Sequence, residues 1–381
     1  MTKSGMLLFS CLLLPLSCCC TTRIGSGVAG SDVDAGRVEP GMEGVECAEG
    51  ESEAEAAVSC TELRAVVNTE YEPLVLSMLD GAVERIRIVH FECNDDYTVD
   101  KVVDAMIAAA KRGVDVRVLL EADVEANEAR VEQLNDAGVH AKLDEKARYT
   151  HAKLVVVDGR AVLFGSTNFS YKSMLYNNET NLFLDCPEAG AWYEKLAQAW
   201  WSDPSETPEL AQISVESIGL LKTLRDDTYF DAAHPLVQAA TKRVLLLVYG
   251  FHMNPRYPDS DVHKMAWALA DAKKRGVEVR VILEESDYNR TLDEMNHDAA
   301  DYLTSQGVDV RFDPPEKISH AKLLVVDDTA IVGSNNWGHG GFHMYHEVGG
   351  VTNRAGAVSK LADYFDSVWE KGSPNPSGKK P

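Results

Sequence analysis

The chain has 381 residues, 45% of them hydrophobic, which is enough for two ordinary domains with buried cores. It carries 37 Lys and Arg against 60 Asp and Glu, a formal net charge of −23; residues 31–60 hold nine acids and one base, so −8 belongs there and −15 elsewhere. Acidity this general excludes a protein that holds long polyanions through its overall field.

In chain order, residues 1–20 are expected to be an export signal. Lys3 supplies a positive charge, and Met6 to Leu16 is an apolar run of signal-core length, too short to span a bilayer. Ser17-Cys18-Cys19-Cys20 resembles a bacterial lipobox, with Leu16 three positions before Cys19; the other reading is a plain secretory signal with incidental cysteines. Either one puts the protein outside the cytoplasm, as a periplasmic, secreted or lipid-anchored species. Residues 21–60, with few large apolar side chains, are expected to form a flexible acidic tether. Cys47 and Cys60 flank its acidic end and are spaced so that they can pair, whereas Cys93 and Cys186 fall in core-like segments. No Cys and His spacing suits structural zinc, and no later run is apolar enough to cross a membrane.

From about residue 61 the chain repeats itself, as 61–210 and 211–371. Lys111-Arg-Gly-Val-Asp-Val-Arg-Val-Leu-Leu-Glu121 returns as Lys274-Arg-Gly-Val-Glu-Val-Arg-Val-Ile-Leu-Glu284. Each copy opens with an apolar strand, Arg85 to Phe91 and Arg243 to Tyr249. Val99, Val102, Val103, Met106, Ile107 and Ala110 then recur at helical spacing, with Gly113 as the stop. Val114, Val116 and Val118 alternate as a strand, and a second helix ends at Gly138, or at Gly307 in the second copy. Trp192, Trp200, Trp201 and Trp369 lie in the closing helical segments and read mostly as core. Strands alternating with helices predict an α/β sandwich in each half, the two facing each other about a pseudo-two-fold axis. Residues 372–381 are expected to be a disordered tail.

The strand pair near the end of each copy carries the chemistry. The first reads His151-Ala-Lys153-Leu-Val-Val-Val-Asp158 and then Gly165-Ser166-Thr167-Asn168; the second reads His320-Ala-Lys322-Leu-Leu-Val-Val-Asp327 and then Gly333-Ser334-Asn335-Asn336. Glu179 and Glu347 each follow eleven residues after the asparagine. Six fixed residue types, each near about 5% usage, coincide by chance on the order of 10⁻⁸ per start position. Two occurrences at equivalent points of a repeat are no accident. His151 and Lys153 are two apart on a strand-forming segment and share a face that Val155 and Val157 continue, while Leu154 and Val156 pack on the other. Asp158 is seven positions from His151, points away from it, and starts a favourable Asp-Gly turn, so it reads as scaffold. Glu179 and Glu347 are the better candidates for orienting imidazoles. His90, Glu92, Tyr249 and His252 end the opening strands, where α/β sites tend to form, although plain packing accounts for each taken alone. His339, His343 and His346 lie in a Gly-rich loop whose spacing gives little support to a metal site. The Lys111-Arg112 and Lys273-Lys274-Arg275 clusters end helices, where cations favour the dipole, and do not make a nucleic-acid track.

These residues match the HxKxxxxD…GSxN pattern of the phospholipase D superfamily, which the chain resembles from about residue 61 to 371. The resemblance implies one histidine as nucleophile, forming a phosphohistidine, and the other as general acid. It further implies that Lys153, Lys322, Asn168 and Asn336 hold phosphate oxygens beside Ser166 and Ser334, with Asp158 and Asp327 as motif support. Two ammonium groups and amide donors suit a diester anion, and imidazole can attack phosphorus without a metal-bound hydroxide, so neither metal nor cofactor is expected. The expected activity is a phospholipase D-type hydrolysis of glycerophospholipid headgroups to phosphatidic acid at a membrane surface, by a monomer. The alternatives are a secreted nuclease, a cardiolipin-synthase-like transphosphatidylase, or a non-catalytic envelope binding protein. The general acidity argues against nucleic acid.

Overall fold

A computed structural model describes residues 59–145, 148–203, 206–285, 289–314 and 316–375. The signal segment, Cys47 and nearly all of the tether lie outside the described residues, as do residues 376–381 of the tail. The repeated pattern folds into two sheets. Strands β1 (Glu62–Val67), β2 (Arg85–His90), β3 (Asp115–Leu120), β4 (His140–Leu143), β5 (Lys153–Val157), β6 (Ala161–Gly165) and β7 (Thr180–Asp185) are ordered β1-β7-β6-β5-β2-β3-β4. Strands β8 (Gln212–Val215), β9 (Gly219–Arg225), β10 (Arg243–Val248), β11 (Glu278–Leu283) and β12 (Asp309–Phe312) belong to the second sheet. They join β13 (Lys322–Val326), β14 (Thr329–Gly333), β15 (Val348–Thr352) and β16 (Ser373–Pro374) in the order β16-β12-β11-β10-β13-β14-β15-β9-β8. The inner seven strands of the second order reproduce the first. In both, three parallel strands meet an antiparallel meander, so that His90 lies opposite Lys153 and Val248 opposite Lys322.

Helices α1 (Tyr71–Asp80), α2 (Tyr97–Lys111), α3 (Glu125–Asp136), α4 (Tyr171–Leu175) and α5 (Pro187–Ser202) belong to the first copy. Helices α6 (Tyr229–Ala239), α7 (Asp261–Lys274), α8 (Arg290–Ser305) and α9 (Ala355–Trp369) belong to the second. Asp96 caps α2 by accepting from the amides of Thr98 and Val99, and Gly113 ends it at φ +94°, a conformation that penalises any side chain. The alternation of the motif strands sorts their side chains between two cores. Val155 and Val157 join α1 and α2 in an outer cluster, while Leu154 and Val156 enter a central one. Leu323 and Val325 reach that same central cluster from the other sheet, together with residues of α5 and α9. The two repeats therefore share a core. Trp192 and Trp200 are buried in it, and Trp201 and Trp369 pack against it.

Three features depart from the sequence expectations. Cys60 is joined by a disulfide to Cys186, 126 positions away, and Cys93 is a buried free thiol. A bond from Cys60 thus ties the start of β1 to the start of α5. The tail begins as structure, because Ser373 and Pro374 pair with Phe312 and Arg311. The β8–β9 hairpin precedes the second opening strand and extends the sheet edge, since β9 pairs with β15 as β1 pairs with β7.

Candidate active site

Each histidine lies just before its strand, and the other repeat fixes it there. Thr150 bridges to His346 through His151 N–H donating to the His346 carbonyl at 3.0 Å and His346 N–H donating to the Tyr149 carbonyl at 2.8 Å. Asn178 and Ser319 form the matching bridge, with Asn178 N–H donating to the Ile318 carbonyl at 2.8 Å. Because Glu347 follows His346 and Glu179 follows Asn178, each bridge delivers a carboxylate to the opposite histidine. His151 Nδ1 lies 3.0 Å from Glu347 Oε1, and His320 Nδ1 lies 3.1 Å from Glu179 Oε1. The pairs are crossed between repeats. The serines hold the carboxylates: Ser166 donates to Glu179 at 2.5 Å, and Ser334 donates to Glu347. Each serine hydroxyl also accepts the backbone amide after its glutamate, Thr180 N at 2.9 Å and Val348 N at 3.0 Å. In this structure Ser166 and Ser334 therefore orient the glutamates, whereas the sequence assigned them to the phosphate.

Both histidines, Asn168 and Asn336 line one cleft of about 910 Å³. Lys153 and Lys322 are almost wholly buried beside it and donate to the carbonyls of His151 and His320. Phe91 covers the Lys153 ammonium and Tyr249 the Lys322 ammonium, each at 5.0 Å from the ring centre. The buried Oδ1 atoms of Asn168 and Asn336 have no hydrogen-bond partner among the described residues. Burial, with Lys153 and Lys322 close by, holds the His151 imidazole well below its usual pKa, and burial with Lys322 brings His320 down to about 4. Burial also takes Lys153 down to about 8. Glu347 is pushed up to about 7 by burial, while Glu179, equally buried, is held below the usual range by His320 and Lys322. An anion entering the cleft would relieve these lysines and imidazoles together.

Asp158 and Asp327 stand away from this centre. Asp158, at φ +53°, accepts from the amides of Val83, Glu84 and Arg85 at 2.9, 2.8 and 2.8 Å and so pins the turn to the start of β2. Asp327 does the same with Thr241, Lys242 and Arg243. Glu92 and Tyr249 line the cleft; His90 is fully buried and stacked on Phe169, and His252 belongs to a neighbouring cavity. His346 is 3.1 Å from Asp226 and His343 is 3.2 Å from Asp261; among the described residues no three metal-ligating side chains converge. One layer of the site escaped the sequence reading. Glu121 accepts the Thr150 amide and is hydrogen-bonded to Asp144, and Glu284 accepts the Ser319 amide and is bonded to Asp313. A buried glutamate thus grips the residue before each histidine, joined in the second copy by Asp313, which also accepts the Ser319 amide at 2.8 Å. The available signal was that Glu121 and Glu284 close the repeated eleven-residue segment.

A family profile described as cardiolipin synthase, PLD-like domain, matches residues 75–201 and 235–369. The chain belongs to the PLD-like domain family. Its two matched segments are the two repeats, each with a complete set of motif residues. Among similar proteins, this PLD-like chain is 25% identical over 345 residues to cardiolipin synthase 2 of Bacillus cereus, covering 82% of this chain and 65% of that protein. It is 24% identical over 342 residues to a probable phospholipase D of Caenorhabditis elegans, covering 71% of this chain and 59% of that protein. The PLD-like chain thus spans about two thirds or less of the length of these relatives. The fold is also that of phosphatidylserine synthase from Haemophilus influenzae, with a TM-score of 0.65 and 12% identity over 83% of this chain and 88% of that one. No described helix is long and apolar enough to cross a membrane.

Proposed function

We propose that the chain is a transphosphatidylase of cardiolipin-synthase type, moving a phosphatidyl group between alcohols through a phosphohistidine. The observation that carries this reading is the crossed histidine–glutamate arrangement, which brings two imidazoles with their Nδ1 atoms occupied to one cleft. With Nδ1–H held by a carboxylate, the Nε2 of one histidine attacks phosphorus while the bond to the leaving alcohol oxygen breaks. The second histidine, protonated, gives its proton to that oxygen. In the return step this second imidazole takes the proton of an incoming alcohol, whose oxygen displaces the first histidine from phosphorus. Lys153, Lys322, Asn168 and Asn336 stabilise the non-bridging oxygens throughout.

Transfer and hydrolysis differ only in whether an alcohol or water takes the group. The names of cardiolipin synthase relatives favour the alcohol over the expected hydrolysis to phosphatidic acid, and the C. elegans relative keeps water as the second reading. Cardiolipin carries two phosphatidyl groups on one glycerol, so phosphatidylglycerol serves as both donor and acceptor. The predicted export signal would place the reaction at an envelope membrane. The test is incubation with phosphatidylglycerol vesicles, resolving cardiolipin from phosphatidic acid. Cardiolipin as the main product, lost in both His151→Ala and His320→Ala, is expected. Phosphatidic acid alone would move the assignment to a hydrolase, and no turnover of any diester would leave a binding protein.

A further inference from the structure

We infer that a cavity on the second repeat, beside the reaction cleft, is an acyl-chain subsite for the phosphatidyl donor; this rests on the phosphatidyl-transfer reading. The cavity holds about 960 Å³, at the upper end of small-molecule sites, and shares Tyr249, Asn336 and Tyr345 with the cleft. Asn336 is the residue assigned to a phosphate oxygen and lines both spaces, so a group attached to that phosphate lies next to the cavity.

The two repeats differ where this cavity forms. Residues 91–96 connect β2 to α2, six positions, whereas residues 249–260 connect β10 to α7, twelve positions. The longer connection makes one wall, with Arg256, Tyr257, Pro258 and Asp259 exposed along its rim. Leu292 and Met295 of α8 also line it, with Phe251 packed against Trp337 at 4.9 Å. The walls therefore offer hydrocarbon contact, and burying each methylene of a chain there contributes about 0.8 kcal/mol. A second anionic headgroup is a poorer occupant. Among the described residues the lining contains no lysine, its one arginine is on the exposed rim, and Asp259 and Asp261 oppose a phosphate and offset its three histidines, His343 already lying 3.2 Å from Asp261. Hydrocarbon linked to a phosphate at Asn336 satisfies both the walls and the opening.

The experiment measures kcat/KM for dibutanoyl and dioctanoyl phosphatidylglycerol below their micellar concentrations, with bis(p-nitrophenyl) phosphate as a diester without acyl chains. The wild-type protein should prefer the longer lipid by about tenfold or more. Met295→Trp, which fills the cavity, and Met295→Asp, which makes its wall polar, should bring that ratio close to one. The ratio is internal to each preparation, so loss of folded protein cancels. Equal rates on the two lipids in the wild-type protein would overturn the subsite, as would a preference unchanged in both variants. Turnover of the aryl diester with none of either lipid would instead overturn the phosphatidyl-transfer reading, and the subsite with it.

Discussion

Asp158 and Glu179 are both motif-associated carboxylates, yet their surroundings assign them opposite consequences. Asp158 holds three consecutive backbone amides in a left-handed turn, so Asp158→Asn should cost about 2 kcal/mol of stability and leave the turnover of folded protein nearly intact. Its folded pKa is depressed, because the amide hydrogen bonds outweigh burial. The stability it contributes is present above the unfolded carboxylate pKa and lost as pH falls through the folded one. The difference in melting temperature between wild type and Asp158→Asn should therefore be full at pH 7 and shrink toward pH 3. Glu179→Gln should behave in the reverse way, lowering turnover about 10–100-fold with little change in melting temperature, since it misorients His320. Melting curves and rates ranked the other way would show the two roles exchanged. The imidazoles give a second residue-level expectation. Both pKa values are lowered, so the nucleophile is already neutral in mild acid, while the general acid keeps its proton only at lower pH still. The kcat/KM optimum should lie below pH 6.5. Bound diester brings a compensating anion, so the kcat optimum should lie at higher pH than that of kcat/KM. An alkaline kcat/KM optimum would contradict the burial of these histidines.

Among the elements, α2 and β3 are legible in the sequence because one apolar face at helical spacing, a glycine stop and an alternating valine run each have one structural solution. The alternation of Leu154, Val155, Val156 and Val157 likewise sorts residues between the two cores. Alternation assigns a face and not a partner, which is why the crossing of Glu347 to His151 is invisible until the Thr150–His346 bridge is seen. Connectivity of cysteines has the same limit. Cys60 and Cys186 are adjacent only because β1 pairs with β7 and α5 follows directly. Closing a loop of 126 residues should stabilise the fold by about 5 kcal/mol, so Cys60→Ser should lower the melting temperature by several degrees. The kcat of the folded variant should hardly move, because neither cysteine lines the cleft. A matched loss of kcat would mean that the β1–α5 corner positions the site.

For the molecule as a whole, charge and site chemistry bear on what enters the cleft. The two buried lysines can serve a single diester, and the net charge of −23 opposes a strand carrying many phosphates. Single-stranded DNA should be cleaved feebly, and less as salt rises, by a preparation that turns over lipid; rapid His151-dependent cleavage of DNA would favour a nuclease. Turnover should also survive exhaustive chelation, because ammonium and amide groups occupy the role of a cation, and recovery by one specific added metal would refute that. The crossed pairs have a genetic consequence. Residues 196 and 141 positions apart act as single units, His151 with Glu347 and His320 with Glu179. In a scan of double substitutions, the strongest epistasis should therefore join the halves of the chain, the second lesion in a pair costing little once the first is present. Variation tolerated in one repeat would depend on what the other has already fixed, so neither half is free to drift alone.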